Sequence, residues 1–326
     1  MNYDVVCLRP RDDFLKIGVT PPKNLSIVYL SPDDSHLAQH LAVARALVIP
    51  AVGPKLPAAL FKGSRLQLVQ VTGAGIDRLD ADALKKLGIA VANVPGGSSA
   101  AIAEYAVSSA LTLLRRTFWA DGELRNGDYV EARRQMLADN LPGLEGLTIG
   151  VVGLGIIGMT VAQAFHGMGS KIIYHDPAPR DPDKISEMGA LELPLNELLA
   201  AADIVTLHVP LLPSTKSMLG EQELGQMKSG AILINAARGG IVDEAALVQC
   251  LTSGHLGGAA VDVYSIEPPA QDNPLLAAEK EIGRRLLLTP HIAGVTRQSW
   301  AFLFRSAWQN VERNLTRDEP AENRVV

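Results

Sequence analysis

An open α/β architecture, a doubly wound parallel sheet joined to a second, smaller α/β domain, is predicted by three features of this 326-residue chain. Short apolar runs of strand length alternate with helix-like segments over most of the sequence, the pattern of parallel strands linked by crossover helices. The alternation falls into two blocks, one ending near residue 92 and one starting near residue 148, and the chain is long enough for each to bury its own core. The second block opens on three glycines in G-x-G-x-x-G spacing directly behind a strand-like run. The expected domains are 1–98 together with 293–326, and 99–292 between them.

In the first block the strand-like runs are Val5 to Leu8, Ile27 to Leu30, Ala46 to Ile49, Leu66 to Val71 and Ile89 to Ala92. Between the last two lies VTGAGIDRLDADALKKLG, where Gly73 and Gly75 break the strand ahead of a helix expected from Ala81 to Leu87. Such a loop can offer several backbone N–H groups to an anion, and a plain strand-to-helix turn is the equal alternative on local grounds. VPGGSSAAIAEYAVSSALTLLRR follows, with Pro95, Gly96 and Gly97 in a loop and Ser98 or Ser99 placed to cap a helix running to Arg115, a hinge and bridging helix. Residues 116–147 mix charge, aromatics and glycine without clear periodicity and are expected to form a protruding arm.

The second block is organised around TIGVVGLGIIGMTVAQAFHGMGSKIIYHD, from Thr148 to Asp176. Ile149 to Val152 is a strand, Gly153, Gly155 and Gly158 follow it, Ile156 to Met168 is helical, and Gly169 stops the helix. The first glycine allows a tight turn, the second lets a pyrophosphate approach the backbone, and the third lets the helix lie on the strand. The free N–H groups of the helix start then face the phosphates. A second strand, Lys171 to His175, ends at Asp176, the place for an acid that accepts hydrogen bonds from an adenosine ribose. A glycine turn alone is a weak signal; strand, helix and acid in this order select a dinucleotide site. Pro177, Pro179 and Pro182 also suit an Asx-type turn at Asp176, and Arg180 would meet a ribose phosphate if that proline loop folds back.

Further strands are expected at Asp203 to His208, Ala231 to Asn235, Gly258 to Val263 and Leu286 to Leu288, giving the six of a complete doubly wound domain. Beyond them Trp300, Leu303, Phe304, Ala307, Trp308, Val311 and Leu315 fall on one face of a helix, which is expected to cross back and complete the first core.

Composition excludes several classes. Apolar residues at 47% and charged ones at 20% are ordinary for a globular chain, and a net charge of -5 leaves no electrostatic footprint for nucleic acid or an anionic membrane. Cys7 and Cys250, each in an apolar stretch, do not suggest a disulfide framework, so a cytoplasmic setting is expected. The first residues lack the pattern of a signal peptide, and the longest apolar region, Ala100 to Leu114, is interrupted by Glu104. No metal site is expected.

Three strand ends carry residues suited to nicotinamide chemistry on a carbonyl, which needs a proton carrier, a group that fixes its protonation, and a cation that orients the substrate. In AILINAARGGIVDEAAL, Arg238 projects from a glycine-flanked turn, and its guanidinium suits bidentate carboxylate binding. In AAVDVYSIEPP a strand ends at Asp262 and leads to Glu267, and in LLLTPHIAG His291 follows a strand and a proline. Histidine is the usual proton carrier near neutral pH, and a carboxylate beside it stabilises the imidazolium. Singly, each residue has a bland reading as a loop arginine, a surface acid, a turn former or a polar strand end; one cofactor fold beside all of them favours function.

With these residues in place, the chain resembles the D-isomer-specific 2-hydroxyacid dehydrogenases over nearly its whole length. VGLGIIG with Asp176, HVPLLPSTK, NAARGGIVDEAAL, VDVYSIEP and TPHIAG are similar to that family's cofactor turn, third-strand loop, arginine, glutamate and histidine signatures. The resemblance implies a dinucleotide-binding domain plus a smaller flavodoxin-like substrate domain, with NAD as cofactor and a small 2-hydroxy or 2-keto acid as substrate. It implies that Arg238 binds the substrate carboxylate, that His291 is the general acid and base supported by Glu267, and that Asp262 meets the nicotinamide carboxamide. By the same resemblance the cofactor touches Gly153, Leu154, Gly155, Ile156, Ile157, Gly158, Asp176, His208, Val209, Pro210, Thr215, Ala236, Ala237, Arg238, Asp262, His291 and Gly294. Thr72, Gly73, Ala74 and Gly75 would cradle the substrate carboxylate, and residues 116–147 would pair two copies into a homodimer. GGSS at Gly96 to Ser99 departs from the asparagine-containing stretch common in the family, which leaves the substrate open, and no additional regulatory domain is expected. The alternatives are a phosphite- or phosphoglycerate-type relative, and a cofactor-sensing protein like the family's corepressors; Glu267 argues against formate.

Overall fold

The computed structural model describes residues 3–326, and the side chains of all of these except 279–281. The chain divides into two units, Met1–Ser98 with Val295–Val326, and Ser99–Gly294.

In the first unit, β1 (Val5–Cys7), α1 (Arg11–Lys16), β2 (Ile27–Tyr29), α2 (Leu37–Leu41), β3 (Ala46–Ile49), β4 (Leu68–Val71), α3 (Ala81–Lys86) and β5 (Ala90–Ala92) build a parallel sheet in the order β2-β1-β3-β4-β5. That is the flavodoxin-like order. β1, β3, β4 and β5 are buried throughout, which is why they read as unbroken apolar runs. α13 (Arg297–Thr316) covers this sheet with the apolar face that the sequence predicts: Phe304 and Trp308 pack on Phe14 of α1 with ring centres 4.7 and 5.3 Å away. The chain end then pairs with β5, with Val325 N–H donating to Val91 O at 2.7 Å and Val91 N–H to Val326 O at 3.3 Å. An otherwise open sheet edge is thereby covered.

The second unit begins with α4 (Ser99–Arg115), α5 (Thr117–Arg125) and α6 (Tyr129–Ala138). The doubly wound block follows as β6 (Thr148–Val152), α7 (Ile156–Gly167), β7 (Lys171–His175), α8 (Pro182–Met188), β8 (Leu191–Glu192), α9 (Leu195–Ala201) and β9 (Ile204–Leu207). It is completed by α10 (Glu221–Gln226), β10 (Ile232–Asn235), α11 (Glu244–Thr252), β11 (Gly258–Val261), α12 (Pro274–Ile282) and β12 (Leu286–Leu288). The seven parallel strands lie in the order β12-β11-β10-β9-β6-β7-β8, so strand order reverses between β6 and β9, the switch point where such sheets bind ligands. Alternate residues feed two apolar layers: Val152, Leu207 and Leu233 meet Leu198 and Leu247 on one face, and Val151, Ile204 and Ile234 meet Ala106 and Phe165 on the other.

Two expectations change. The sheet has seven strands, because β8 is two residues long and exposed on both, so it carries no burial pattern to read; HVPLLPSTK therefore follows the fourth strand of this sheet. The arm holds two helices, α5 and α6, whose only buried residue is Ala132, and without a buried face there is no apolar period. Within the second unit, which runs to Gly294, Ala293 N–H is tied to Asp262 at 2.8 Å.

The first unit also contains one buried polar junction that the sequence does not reveal. Asn310 of α13 donates to Gln70 Oε1 and to Glu322 O, both at 3.0 Å, and accepts from Glu322 N–H at 2.9 Å. Replacing it with alanine strands the buried Gln70 amide oxygen and frees the partly buried Glu322 backbone, at a cost of about 1–3 kcal/mol. Asn310→Ala is expected to lower the melting temperature by several degrees in calorimetry, with the loss growing if residues 323–326 are also removed.

Candidate active site

Because all strands of the second sheet are parallel, every C-terminal end arrives at the same edge. The loops after β6, β7, β9, β10, β11 and β12 gather there and carry Gly153, Asp176, His208, Arg238, Glu267 and His291.

The glycines divide their work by space. Gly153 turns at φ 90°, and a β-carbon on it would lie 2.7 Å from Val209 Cγ1 and 2.8 Å from the His208 carbonyl oxygen. At Gly158 a β-carbon would fall 1.9 Å from the Gly153 carbonyl oxygen, so α7 reaches β6 only with glycine at that position. A β-carbon on Gly155 meets nothing within 4 Å, and no side chain caps α7 there. The first and third glycines serve packing, while the second leaves open space at a helix start whose dipole favours an anion. Leu154 is buried, Ile157 packs against the core, and Ile156 stands 62% exposed at the first helical position.

Asp176 is buried at the end of β7 and accepts three hydrogen bonds: Leu154 N–H at 2.7 Å, Ala178 N–H at 2.9 Å and Arg180 Nη2 at 2.6 Å. The proline loop does fold back, and Arg180 closes on the acid. A pyrophosphate at Gly155 and a ribose at Asp176 fit this arrangement, so these residues are suited to hold a dinucleotide. His208, one loop away, is neutral at physiological pH because burial pushes it down to about 3; its Nε2 lies 2.9 Å from the Thr206 hydroxyl. Val209 packs on Gly153, whereas the Thr215 hydroxyl is committed inside its own loop, donating to Pro210 O at 2.6 Å.

Arg238 is aimed by its strand end. The buried Asn235 holds the turn from both sides, accepting from Ala237 N–H and donating to Arg238 O, each at 3.2 Å, while Ala236 lies between them at the start of the turn. Gly239 comes so close to the neighbouring loop that a β-carbon would sit 1.8 Å from the Tyr264 carbonyl oxygen.

His291 has φ 54°, a left-handed conformation that costs a non-glycine residue on the order of 1–3 kcal/mol unless its surroundings hold it. Asp262 holds it. Its carbonyl accepts His291 N–H at 2.8 Å, and its carboxylate accepts the Thr289 hydroxyl at 2.6 Å and the N–H groups of Ile292 and Ala293, each at 2.8 Å. Asp262 is 1% exposed, and burial raises its carboxyl above the ordinary range. Three of the carboxylate's roughly four acceptor positions are thereby spent on the histidine turn.

His291 Nδ1 lies 2.8 Å from Glu267 Oε2, and Tyr264 N–H donates to Glu267 Oε1 at 3.1 Å. Burial alone would raise Glu267, but hydrogen bonds from His291 and Tyr264 and the charges of His291 and Arg238 outweigh it and hold the carboxyl below its ordinary 4.5. An ionised carboxylate only accepts, so Nδ1 carries a proton and Nε2 is left to exchange one with a ligand. Arg238, Glu267 and His291 are thus brought together, with Gly294 ending the unit one residue beyond the turn's last clamp to Asp262 at Ala293. Nothing in residue type singles out Asn235, Tyr264 and Thr289 in the sequence; their place beside each signature residue is the available signal.

In the first unit, Thr72 follows β4 and directs both its N–H and its hydroxyl to Ile49 O, at 2.8 and 3.2 Å. It is thus not a free donor, whereas the N–H groups of Gly73, Ala74 and Gly75 meet no acceptor among the described residues. Asn93 pins this loop through Ala74 O at 2.6 Å.

Known proteins resemble this chain in sequence and in fold. Residues 107–293 match the family profile described as D-isomer specific 2-hydroxyacid dehydrogenase, NAD binding domain. The chain is 36% identical to the glycerate dehydrogenase of Methylorubrum extorquens over 76% of its own length and 75% of that protein. It is 35% identical to the D-3-phosphoglycerate dehydrogenase of Archaeoglobus fulgidus over 75% of its length, but spans only 45% of that longer chain, about half the length of such relatives. Among solved structures, the D-mandelate dehydrogenase of Rhodotorula graminis superposes with a TM-score of 0.86 at 26% identity, covering 99% of this chain and 97% of that one. Within the described residues no group of His, Cys, Asp and Glu is arranged to hold a metal ion, and no helix is long and apolar enough to cross a membrane.

The contrast between two glycines gives a direct test. Gly158→Ala forces a methyl group into the Gly153 carbonyl and is expected to cost roughly 1–3 kcal/mol or more of stability, read as a lower melting temperature. Gly155→Ala should leave the melting temperature of the free protein nearly unchanged and weaken NADH binding in fluorescence titration, because only the ligand needs that space.

Proposed function

Because this chain belongs to the D-isomer specific 2-hydroxyacid dehydrogenase family, we propose that it is an oxidoreductase acting with NAD on the C2 position of a small 2-hydroxy or 2-keto acid of the D series. The observation that carries the reading is the Glu267–His291 pair at 2.8 Å, within reach of the Arg238 charge and on the same sheet edge as the glycine turn. The bound nicotinamide supplies or accepts the hydride. In reduction the protonated His291 donates from Nε2 to the carbonyl oxygen; in oxidation the neutral ring, its Nδ1 proton kept by Glu267, takes the hydroxyl proton at Nε2. Arg238 presents planar paired donors to the substrate carboxylate and balances charge developing on the carbonyl oxygen. In its own unit, the donor loop at Gly73 to Gly75 is read as a cradle for an anionic group. A cytoplasmic setting fits two cysteines that stay free and buried.

An NADH-oxidation screen with glyoxylate, hydroxypyruvate, pyruvate and aryl pyruvates tests this reading. Turnover of at least one is expected; intact NADH binding with no turnover would point instead to a cofactor-sensing protein. In Glu267→Gln the shape stays and the charge goes. The imidazolium then loses its partner, so the alkaline limb of keto-acid reduction should retreat to lower pH, while hydroxy-acid oxidation persists further into acid. A displacement on the order of one pH unit corresponds to about 1.4 kcal/mol. Both limbs staying in place would separate the glutamate from the proton carrier.

We also infer that two copies pair through residues 116–147. Phe118, Leu124, Tyr129, Val130 and Leu137 on α5 and α6 are each more than half exposed, and Leu124, Tyr129 and Leu137 line a groove of about 440 Å³ together with Ala132 and Met136. Light scattering after size exclusion should report twice the chain mass, and the double variant Val130→Asp, Leu137→Asp should run as a folded monomer.

A further inference from the structure

The three loops that carry Arg238, Glu267 and His291 are joined at one residue that none of the chemistry requires. Tyr264 offers its backbone carbonyl to close contact with Gly239, its N–H to Glu267 Oε1 at 3.1 Å, and its phenol to the Thr289 carbonyl at 3.0 Å. Thr289 begins the His291 turn and is held a second time, since the Tyr105 phenol of α4 lies 2.7 Å from its hydroxyl oxygen. The direction of that bond follows by counting protons. The Thr289 hydroxyl has one proton, which goes to the Asp262 carboxylate at 2.6 Å, so Tyr105 must be the donor. Burial pushes the Tyr264 phenol up to about 12 and raises that of Tyr105 as well, so both stay protonated donors throughout the working range. The result is a continuous line from α4 through Tyr105, Thr289 and Asp262 to the strained His291 backbone, and a second from Glu267 through Tyr264 to the same threonine.

We propose that Tyr264 and Tyr105 are positioning residues for the proton carrier, acting jointly on Thr289 to hold the His291 turn in register with Glu267. The proposal rests on the acid–base reading of His291 above. It assigns the phenolic oxygens, and not only the rings, a part in setting how well the imidazole meets its carboxylate.

Tyr264→Phe and Tyr105→Phe each remove one donor and keep the ring. With the keto acid that the wild type reduces best, kcat should fall by about ten-fold in Tyr264→Phe, the scale of one hydrogen bond, with KM for NADH unchanged. The alkaline limb of its reduction profile should move toward that of Glu267→Gln. Since both phenols work through Thr289, the double variant should lose less than the product of the single losses. Amide hydrogen exchange followed by mass spectrometry gives a readout that needs no turnover: exchange across residues 289–293 should quicken in both variants, while residues 153–158 keep their wild-type rate. A wild type without activity on any keto acid would sink the dehydrogenase reading, and the exchange result would still decide whether the phenols hold the turn. Wild-type exchange at 289–293 in Tyr264→Phe overturns the proposal, and so does a kcat loss with an unmoved pH profile, which would mark an ordinary packing defect.

Discussion

Everything from Thr289 to Ala293 is hung from one carboxylate. Asp262 brings a charge to a place where it is 1% exposed, an arrangement that costs several kcal/mol unless donors surround it, and the chain supplies three of them within 2.8 Å. Those donors are the amides and hydroxyl of the very turn that presents His291. The backbone strain at φ 54° is thereby held by bonds that a relaxed turn would break. The site's rigidity and the burial of Asp262 are two descriptions of one interaction, and the position of the proton carrier depends on it.

The rest of the edge is kept in place by absence of side chains. Gly158 lets α7 lie on the turn after β6, and Gly239 lets the arginine loop lie on the carbonyl of Tyr264. Both are backbone-on-backbone contacts, so the distances they set cannot relax by a rotamer change. A parallel sheet gathers the loops at one edge; these two glycines fix how far apart the loops stand once there.

What could be read in advance follows from this division. The buried strands, α13 and the glycine turn were legible because burial on both faces, an apolar stripe and a fixed glycine spacing are local signals. Arg238, Glu267 and His291 were legible as reactive residue types at strand ends. β8 was not, being too short and too exposed to leave a period, and neither were α5 and α6, whose apolar residues face away from the chain's own core. Asn235, Tyr264 and Thr289 escaped for another reason. They act through hydrogen bonds to loops distant in sequence or through their own backbone, and nothing in a residue's type announces such a partner.

The two strand-end acids show how a ligand role should be weighed. Asp176 and Asp262 terminate different strands of one sheet, and each spends its carboxylate first on the amides of nearby turns: Leu154 and Ala178 for the one, Ile292 and Ala293 for the other. Only the lone pairs left over can serve a ligand, of roughly four per carboxylate. Asp176 has committed three acceptor positions, one of them to Arg180, which stays partly exposed beside it. A ribose hydroxyl can use what remains, and the guanidinium that would have met a ribose phosphate is already turned toward a carboxylate. Asp262 has likewise committed three acceptor positions, all of them to its own turn. An acid at the end of a buried parallel strand is thus a clamp for its loop before it is a contact for a cofactor, and which turn amides it clamps is set by loop folding that the sequence does not encode locally.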